Sequence, residues 1–415
     1  MSKHVVVVGG GIIGLCSAYF LRKEGHRVTV VDQSNMDGGA SYVNAGYVSP
    51  SHIIPLSAPG VMKKGLKWML NPSSPLYIKP RLDLDFLRWT LAFNKSCNKR
   101  HVTKAIPIIK ELALSSQLLY ERIKQEEQFN FHYEKKGLLM LCQSEKMLKE
   151  EIHTANLAKD EGLDAREISL SELNTMEPDV EIDALGATYY KCDAHTTPGE
   201  FMHELIENLK AKGVEISCNE KVSNFHLSSS KIQAVVTENR TINCDEVVLA
   251  TGSWTSDLSR KFGLKLLLQA GKGYRINTER PTGIRLPAIL TEAKAAVTPM
   301  NGFTRFAGTM EIAGINSNIN TVRVESIANA VNRYYPNVKI TSQEKGEARC
   351  GLRPVSPDGL PYIGRPLSCP NLVIATGHAM MGWTMGPTTG KLVSEIISDK
   401  TPSMSLERLH PNRRF

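Results

Sequence analysis

Four residues near the start of the chain have the types and the spacing that hold a dinucleotide. Gly9, Gly11 and Gly14 follow an apolar run that predicts a strand, and Asp32 ends a second such run. The first glycine allows a tight turn, the second lets the backbone approach a pyrophosphate, and the third lets a helix pack close to the sheet. The carboxylate suits a ribose 2′-hydroxyl and would repel a 2′-phosphate. We therefore expect a βαβ unit that binds an adenine dinucleotide without that phosphate, rather than a glycine-rich turn with no ligand.

Three later segments extend the predicted cofactor site. The run GGASYVNAG at residues 38–46 would let the backbone pass close to a ligand. Residues 245–252 predict a buried strand that ends in a glycine turn, and residues 372–382 predict a second strand and turn. A helix is expected over residues 387–397, and backbone N–H groups near residues 382–386 could stabilise negative charge on a reduced flavin ring. This third element favours a flavin over a nicotinamide.

Length and composition indicate a globular protein of two domains or of one large interleaved unit. The 415 residues exceed one ordinary domain, and hydrophobic and charged residues make up 41% and 22% of the chain. The eight cysteines form no CxxC pair, so neither a metal site nor a disulfide framework is expected. The N-terminus leads directly into the nucleotide unit, and no apolar run reaches the ~18 residues of a membrane span. We expect a cytoplasmic protein in a reducing compartment.

The net charge of +8 raises the question of an anionic partner. Lysine and arginine are spread along the chain without a nucleic-acid motif, so no nucleic-acid partner is expected. Residues 61–70, VMKKGLKWML, mix cations with apolar and aromatic groups, and such a stretch could lie on an anionic membrane. A helix with one face packed on the protein and its lysines solvated explains the same pattern equally well. A peripheral contact with the inner face of the cell membrane is thus allowed but not required.

The order of the patterns predicts an α/β fold, in the wider sense an α+β arrangement of two interleaved domains. Nucleotide-binding patterns recur at the start, in the middle and at the end of the chain, and β-rich segments with helices lie between them. A Rossmann-like cofactor-binding domain is expected to take residues 1–75, 195–260 and 345–415. A substrate domain with an antiparallel sheet is expected to take residues 76–194 and 261–344.

Motifs along the whole chain resemble the FAD-dependent D-amino-acid oxidase superfamily. They are GGGIIG, GGASYVNAG, VVLATGSWT, GLRPVSPDGLPYIG and GHAMMGWTMGP. Within the superfamily, NAGYVSP, APGV, KWML and GHAMMGWTM look most like bacterial D-amino-acid dehydrogenases. The resemblance implies FAD, bound noncovalently because no cysteine is placed for a covalent link. It further implies oxidation of a D-amino acid by hydride transfer to flavin N5, which leads to a 2-oxo acid and ammonia.

The resemblance also implies an electron acceptor other than oxygen, such as a membrane quinone. Alternatives within the superfamily are a D-proline or D-hydroxyproline dehydrogenase and an oxygen-using amino-acid or amine oxidase. An NAD-dependent oxidoreductase and a nucleotide-binding protein without chemistry are alternatives of other classes. Glycine oxidases carry an arginine in the C-terminal turn, where this chain has Met380 and Met381. This difference favours larger apolar or cyclic D-amino acids as substrates.

The resemblance assigns substrate recognition to two residues. Arg353, in the GLRP motif, would bind the substrate carboxylate through its planar guanidinium, and the alternative is a loop arginine paired with Asp358. Tyr274 would lie over the substrate and add a second carboxylate contact, and the alternative is a core aromatic. His52 and His195 are expected in loops that could border the cavity, but neither is expected to act as a base.

The expected cofactor contacts combine the glycine motif with the positions that the resemblance implies. Val222 is expected to meet the adenine or ribose through its backbone, and His378 to neighbour the flavin ring. In chain order the expected contacts are Gly9, Gly11, Ile12, Ile13, Gly14, Asp32, Gln33, Ala40, Ser41, Asn44, Ala45, Gly46, Val222, Thr251, Gly252, Trp254, Arg353, Gly377, His378, Gly382, Trp383 and Thr384.

Overall fold

The computed structural model describes residues 1–62, 74, 76–79, 81 and 83–415. The strands are β1 (His4–Val8), β2 (Arg27–Val31), β3 (Tyr47–Val48), β4 (Leu76–Ile78), β5 (Tyr133–Glu134), β6 (Leu138–Cys142), β7 (Ala165–Ile168), β8 (Gly186–Tyr190), β9 (Ala194–Thr196), β10 (Glu215–Ser217), β11 (Val222–Ser228), β12 (Lys231–Thr237), β13 (Thr241–Asn243), β14 (Glu246–Leu249), β15 (Gln269–Thr278), β16 (Ala288–Leu290), β17 (Ala295–Met300), β18 (Phe303–Ile312), β19 (Arg349–Val355), β20 (Tyr362–Gly364) and β21 (Leu372–Thr376). The α-helices are α1 (Ile12–Lys23), α2 (Ala40–Val43), α3 (Leu84–Ser96), α4 (Lys99–Glu126), α5 (Glu145–Asp160), α6 (Leu170–Met176), α7 (Pro198–Ala211), α8 (Thr255–Ser259), α9 (Thr321–Tyr334), α10 (Ser342–Gly346) and α11 (Gly382–Ile397).

A six-stranded sheet in the order β10-β2-β1-β14-β21-β20 carries the glycine motif. All neighbouring strands run parallel except β20 and β21. The four valines of β1 are buried, as expected of a parallel strand covered on both faces. Helices α1 and α11 can approach closely beside this sheet because Gly390 of α11 lies on the backbone of Cys16, where a side chain would overlap it. The predicted Rossmann-like unit is therefore present.

A nine-stranded, mainly antiparallel sheet stands beside the first one. Its order is β19-β15-β18-β17-β16-β6-β8-β7, and β4 pairs with the end of β18. Helix α9 packs on one face, where Val324 and Ile327 join the cluster that contains Tyr274. The other face carries Gly273 and Arg353, since side chains alternate between the faces of a strand. The predicted fold class, an α/β arrangement with a parallel and an antiparallel sheet, is confirmed.

The long helix α4 crosses the predicted division between the domains. It was assigned to the substrate domain from the sequence, yet the hydroxyl of Tyr120 donates to the backbone oxygen of Trp383 in α11 at 2.7 Å. Leu119 and Ile123 also belong to the core cluster of the six-stranded sheet. The domain boundaries stay a prediction, with α4 as the element that couples the two parts.

The basic and apolar segment at residues 61–70 is described only at its start. Val61 and Met62 pack beside a buried cluster that contains Trp89 and Phe93. The rest of the segment, residues 63–70, lies outside the described residues. Within the described part of the chain, no helix has both the length and the apolar character that a membrane crossing needs.

Candidate active site

The turn after β1 has the shape that a pyrophosphate requires. Gly9 has a φ of +106°, and a side chain there would come within 2.5 Å of the backbone oxygen of Ala250. At Gly14 a side chain would overlap the backbone of Gly9. The first residue before α1 is Gly11, which supplies no side-chain cap, and Ser41 Oγ accepts only from the N–H of Ile12, at 2.9 Å. The other N–H groups of this first turn, that of Ile13 included, are available to an anion.

Asp32 holds the turn and keeps room for a sugar hydroxyl. Its Oδ2 accepts from the N–H of Gly10 at 2.7 Å, and its Oδ1 accepts from the N–H and the hydroxyl of Ser34 at 2.8 and 2.6 Å. A carboxylate offers about four acceptor positions, so one remains for a ribose hydroxyl. Gln33 is exposed beside it, and the N–H of Glu220 donates to the backbone oxygen of Asp32 at 2.7 Å. This last bond brings the start of β11, with Val222, to the same end of the sheet.

The loop after α2 is fixed between the two sheets. Asn44 Nδ2 donates to the backbone oxygens of Ala40 and Ser41 at 3.1 and 2.8 Å. The Thr298 hydroxyl, from the nine-stranded sheet, donates to the backbone oxygen of Ala45 at 2.7 Å. Gly46, with a φ of +76°, lies so close to the backbone oxygen of Thr196 in β9 that a side chain would overlap it. The predicted second cofactor loop thus has a defined backbone with small residues on its surface.

Two glycine turns follow β14 and β21 and lie next to each other. The Thr376 hydroxyl donates to the backbone oxygen of Gly252 at 2.9 Å. The hydroxyl oxygens of Thr251 and Thr255 are 3.0 Å apart, and the side chain of Trp254 is exposed. Gly377, with a φ of +83°, packs on the ring of Tyr362. The parallel strands of the six-stranded sheet therefore end in turns at one edge, where ligands bind in such sheets.

Helix α11 begins at Gly382, five residues before the predicted start. Pro387 lies inside the helix and has no N–H for the backbone oxygen of Trp383, which accepts from the Tyr120 hydroxyl. Met381 precedes the helix and provides no side-chain cap. The N–H groups of the first turn therefore remain available, as the flavin hypothesis requires.

Three residues expected at the flavin use their side chains inside the protein. The indole N–H of Trp383 donates to the Thr196 hydroxyl at 2.9 Å, and the Thr384 hydroxyl donates to the backbone oxygen of Tyr47 at 3.0 Å. His378 is buried, and its Nε2 lies 2.9 Å from the Thr389 hydroxyl. Burial lowers the pKa of His378 to about 3, so its ring is neutral. For Trp383 and Thr384 only the backbone N–H groups are left for a cofactor.

Arg353 is a cation without an acidic partner. Its guanidinium lies on Gly273 of β15, where any side chain would overlap it, and Nη1 donates to the backbone oxygen of Thr309 at 2.9 Å. No carboxylate pairs with it among the described residues. The alternative pairing with Asp358 is wrong, because both carboxylate oxygens accept from Arg413, at 2.8 and 2.9 Å. Burial lowers the pKa of Arg353 to about 10, so it stays charged at neutral pH.

Tyr274 lies on the other face of the nine-stranded sheet, and the expectation that it contacts the substrate is corrected. It is 1% exposed, and its hydroxyl donates to Glu311 Oε2 at 3.0 Å. Lys272, two residues earlier on the same face, lies 3.3 Å from Glu311 Oε1. Because side chains alternate along β15, Gly273 faces Arg353 and Tyr274 faces α9. The core alternative for Tyr274 is therefore the one observed.

An apolar cluster lies next to the Arg353 segment. The indole N–H of Trp89 donates to the backbone oxygen of Val355 at 2.9 Å. The N–H of Ala379 donates to the backbone oxygen of Pro354, and this hydrogen bond joins the C-terminal turn to β19. Met380 is 54% exposed at this turn, whereas Met381 packs against the core. The buried members of the cluster are Trp89, Phe93, Met310, Ile312, Val355 and Ala379.

The structure contains two clusters of polar side chains that the sequence analysis did not predict. Each cluster is formed by residues that are far apart in the sequence. Ser51 Oγ donates to Asp193 Oδ2 at 2.5 Å and lies 3.0 Å from His52 Nδ1. Burial raises the pKa of Asp193 to about 7 and lowers the pKa of His52 to about 4. His195, expected near the cavity, lies in the sheet β3-β9-β5 beside His132 and Glu134. The absence of CxxC pairs gave no information on such histidines.

Comparison with known proteins shows the family of the chain. A family model described as FAD dependent oxidoreductase matches residues 4–396. A D-amino acid dehydrogenase from Helicobacter pylori is 31% identical over 401 residues, which are 96% of each chain. A D-amino-acid oxidase from Bradyrhizobium diazoefficiens is 30% identical over 417 residues, which are 99% of each chain. The crystal structure of glycine oxidase from Geobacillus kaustophilus has the same fold, with a TM-score of 0.79 at 20% identity over 100% of this chain and 99% of that one. The chain therefore belongs to the FAD dependent oxidoreductase family.

Proposed function

We propose that the protein oxidises D-amino acids to 2-oxo acids and ammonia with noncovalently bound FAD, and that it passes the electrons to a quinone. The observation that carries the substrate class is Arg353, a deeply placed guanidinium with no carboxylate partner among the described residues. A partly buried cation without an acidic partner is stabilised when an anion reaches it. Relatives named for D-amino acids over nearly the whole chain support the same substrate class.

The residues of the nucleotide sheet fit FAD. The first turn of α1 would hold the pyrophosphate, and the free acceptor position of Asp32 would hold a ribose hydroxyl. The N–H groups at the start of α11 would lie at the flavin ring. When bound, FAD supplies the electron acceptor for a hydride from the substrate Cα.

The protein's own part is to hold the substrate at two points. Arg353 binds the carboxylate through two parallel hydrogen bonds, and the apolar cluster beside Val355 receives the side chain. Fixing both ends aims the Cα–H bond and replaces a random encounter by an oriented one. Loss of the hydride and of one amine proton gives an imino acid. Water adds to its carbon and ammonia leaves, which needs no group of the protein.

The apolar cluster supports D-amino acids with apolar or cyclic side chains. Its members around the Arg353 segment are aromatic and aliphatic, and Met380 adds an exposed apolar side chain at the C-terminal turn. Burial of a methylene group there contributes about 0.8 kcal/mol. Substrate preference is therefore expected to rise with side-chain size from alanine to leucine or proline.

The electron acceptor is the finer part of the proposal. Dehydrogenase relatives favour a quinone, whereas the relative from Bradyrhizobium diazoefficiens carries the name oxidase. A peripheral contact with the membrane through residues 61–70 would bring the protein to a quinone, and the composition of that segment supports it.

An anaerobic screen tests the substrate class. The FAD-loaded protein is mixed with single D- and L-amino acids, and the loss of oxidised-flavin absorbance is followed. Rapid bleaching by apolar D-amino acids, with the L-forms at least tenfold slower, is expected. Bleaching by L-forms alone, or by none of the set, contradicts the proposal. Air-saturated assays with and without a soluble quinone then decide the acceptor, and fast peroxide formation would point to an oxidase.

A further inference from the structure

A second cluster of chemically competent side chains lies in the small sheet β3-β9-β5. Glu134 of β5 pairs directly with His195 of β9, so both side chains lie on the same face. His132 precedes Glu134 by two residues and shares that face. One ligand atom from each residue lies within 4.8 Å of the others. Strand pairing thus brings two imidazoles and a carboxylate together across sixty residues of sequence.

The spacing of these atoms fits a metal ion better than a hydrogen bond. The Nε2 atoms of His132 and of His195 are each 3.4 Å from Glu134 Oε2. That is long for hydrogen bonds to a carboxylate. A tetrahedral Zn²⁺ with bonds of about 2.0–2.2 Å holds its ligand atoms about 3.3–3.6 Å apart. Both separations from Glu134 Oε2 fall inside this range, and all three ligand atoms lie within 4.8 Å of one another.

The burial and the hydrogen bonding of His195 are those expected of a metal ligand. His195 is 0% exposed, and neither ring nitrogen makes a hydrogen bond of good geometry among the described residues, the nearest backbone acceptor being at Pro299. Buried polar atoms are ordinarily paired, so an unpaired imidazole needs an explanation.

His132 already has the support that metal-binding histidines use. Its Nδ1 lies 3.1 Å from the Thr197 hydroxyl, which orients the ring and leaves Nε2 directed at Glu134. Such a contact on the second nitrogen is typical of histidine ligands. Glu134 also contacts Lys136 Nζ at 2.8 Å. The lysine side chain is 45% exposed and can move into solvent when a cation replaces it.

We propose that His132, Glu134 and His195 bind one divalent transition-metal ion of the zinc type, with water in the remaining position. Three protein ligands from imidazole and carboxylate groups suit Zn²⁺. The ion would fix the position of β9. In that strand Thr196 follows His195, and its hydroxyl accepts from the indole N–H of Trp383 and donates to the backbone oxygen of Gly46 at 3.0 Å. It would therefore stabilise the support of the cofactor loop and take no part in electron transfer.

Calorimetric titration with zinc sulfate tests the proposal on the FAD-loaded protein after removal of metal by a chelator. One ion per chain is expected, with a rise in Tm on addition of zinc. His132→Ala and Glu134→Gln should each weaken binding about tenfold or more, since even supporting contacts change metal affinity by about 10–100-fold. The matched control is His203→Ala, which removes an exposed histidine from α7 and should leave zinc affinity unchanged.

X-ray absorption at the zinc edge gives a readout that does not depend on the variants. A first shell of nitrogen and oxygen at about 2.0–2.2 Å with imidazole scattering is expected. The proposal is overturned if the parent protein binds no stoichiometric zinc. Equal affinity in His132→Ala, Glu134→Gln and the control, or a shell that contains sulfur, would overturn it as well.

Discussion

Lys272 is a buried cation and Arg353 is a partly buried one, and the two lie on opposite faces of the same strand pair in different surroundings. Lys272, opposite Leu352 in the ladder, has Glu311 at 3.3 Å and also donates to Asn316 Oδ1 at 2.6 Å and the backbone oxygen of Asn318 at 2.9 Å. Among the described residues, Arg353 makes one hydrogen bond, to the backbone oxygen of Thr309, and pairs with no carboxylate. A cation that is paired with an acidic side chain of the protein stabilises the fold, whereas a cation without an acidic partner is available to an anionic ligand.

The largest expected effect is on the stability of Lys272→Met. This change leaves Glu311 buried, with Tyr274 and Asn320 as its hydrogen-bond partners in the described part of the chain. Loss of one member of a buried ion pair costs about 3–5 kcal/mol, so the urea midpoint should fall clearly. kcat/KM of the molecules that remain folded should change less than threefold. An unchanged midpoint with a large loss of activity would reverse the roles assigned to the two cations.

Arg353→Ala should leave the fold intact and remove activity. Loss of a charged partner of a buried carboxylate costs about 2–5 kcal/mol, which is about a thirty- to several-thousand-fold loss in kcat/KM. Arg353→Lys should recover only part of it, because an ammonium cannot make two parallel bonds. Tyr274→Phe is the matched control on the other face, and its kcat/KM should stay within threefold of the parent. Equal losses in Arg353→Ala and Tyr274→Phe would show that the face does not decide the role.

Gly273→Ala tests the position of the guanidinium without touching the substrate. The new methyl group would occupy the place of the Arg353 side chain, which must move. A displacement of about 1 Å can reduce a rate by up to about a hundredfold, so an intermediate loss in kcat/KM is expected. The FAD content and the Tm should stay close to those of the parent. Parent-like activity in Gly273→Ala would mean that Arg353 need not lie on β15.

Asp193 is a buried acid, and its contribution to the stability of the folded protein should depend on pH. Burial raises its folded-state pKa from 3.8 to about 7. A raised pKa contributes stability that is present below pH 3.8 and is lost as the pH rises through 7. Asp193→Asn mimics the neutral acid, so its urea midpoint relative to the parent should rise between pH 4 and pH 7 and then level off. A difference that is constant over this range contradicts a neutral buried carboxyl group.

Local sequence patterns predicted the cofactor turn because each position has a local steric reason. Gly9 and Gly14 cannot carry side chains, and Asp32 bonds to the turn that it follows. The position of Arg353 over Gly273 depends on strand pairing, and only the family resemblance anticipated its role.

The wrong predictions for Tyr274 and for Asp358 have a common cause. Both depend on contacts between residues that are far apart in the sequence. The period of two in β15 places Lys272 and Tyr274 on one face but does not say which face meets the cofactor. That is decided by Glu311 and α9, neither of which is near in sequence. Asp358 is likewise taken by Arg413 from the C-terminal end of the chain.

The central claim is that Arg353 binds the substrate carboxylate, and binding of an unreactive analogue tests it most directly. 2-Aminoisobutyrate has the amine and the carboxylate but no Cα–H, and its amide lacks the negative charge. Calorimetric Kd values of both compounds are measured for the FAD-loaded parent and for Arg353→Ala. Binding of the acid should weaken by about thirtyfold or more, in line with the loss of a charged partner, and binding of the amide should change less than threefold. Equal weakening of both compounds, or an acid that binds Arg353→Ala as well as the parent, would contradict the account.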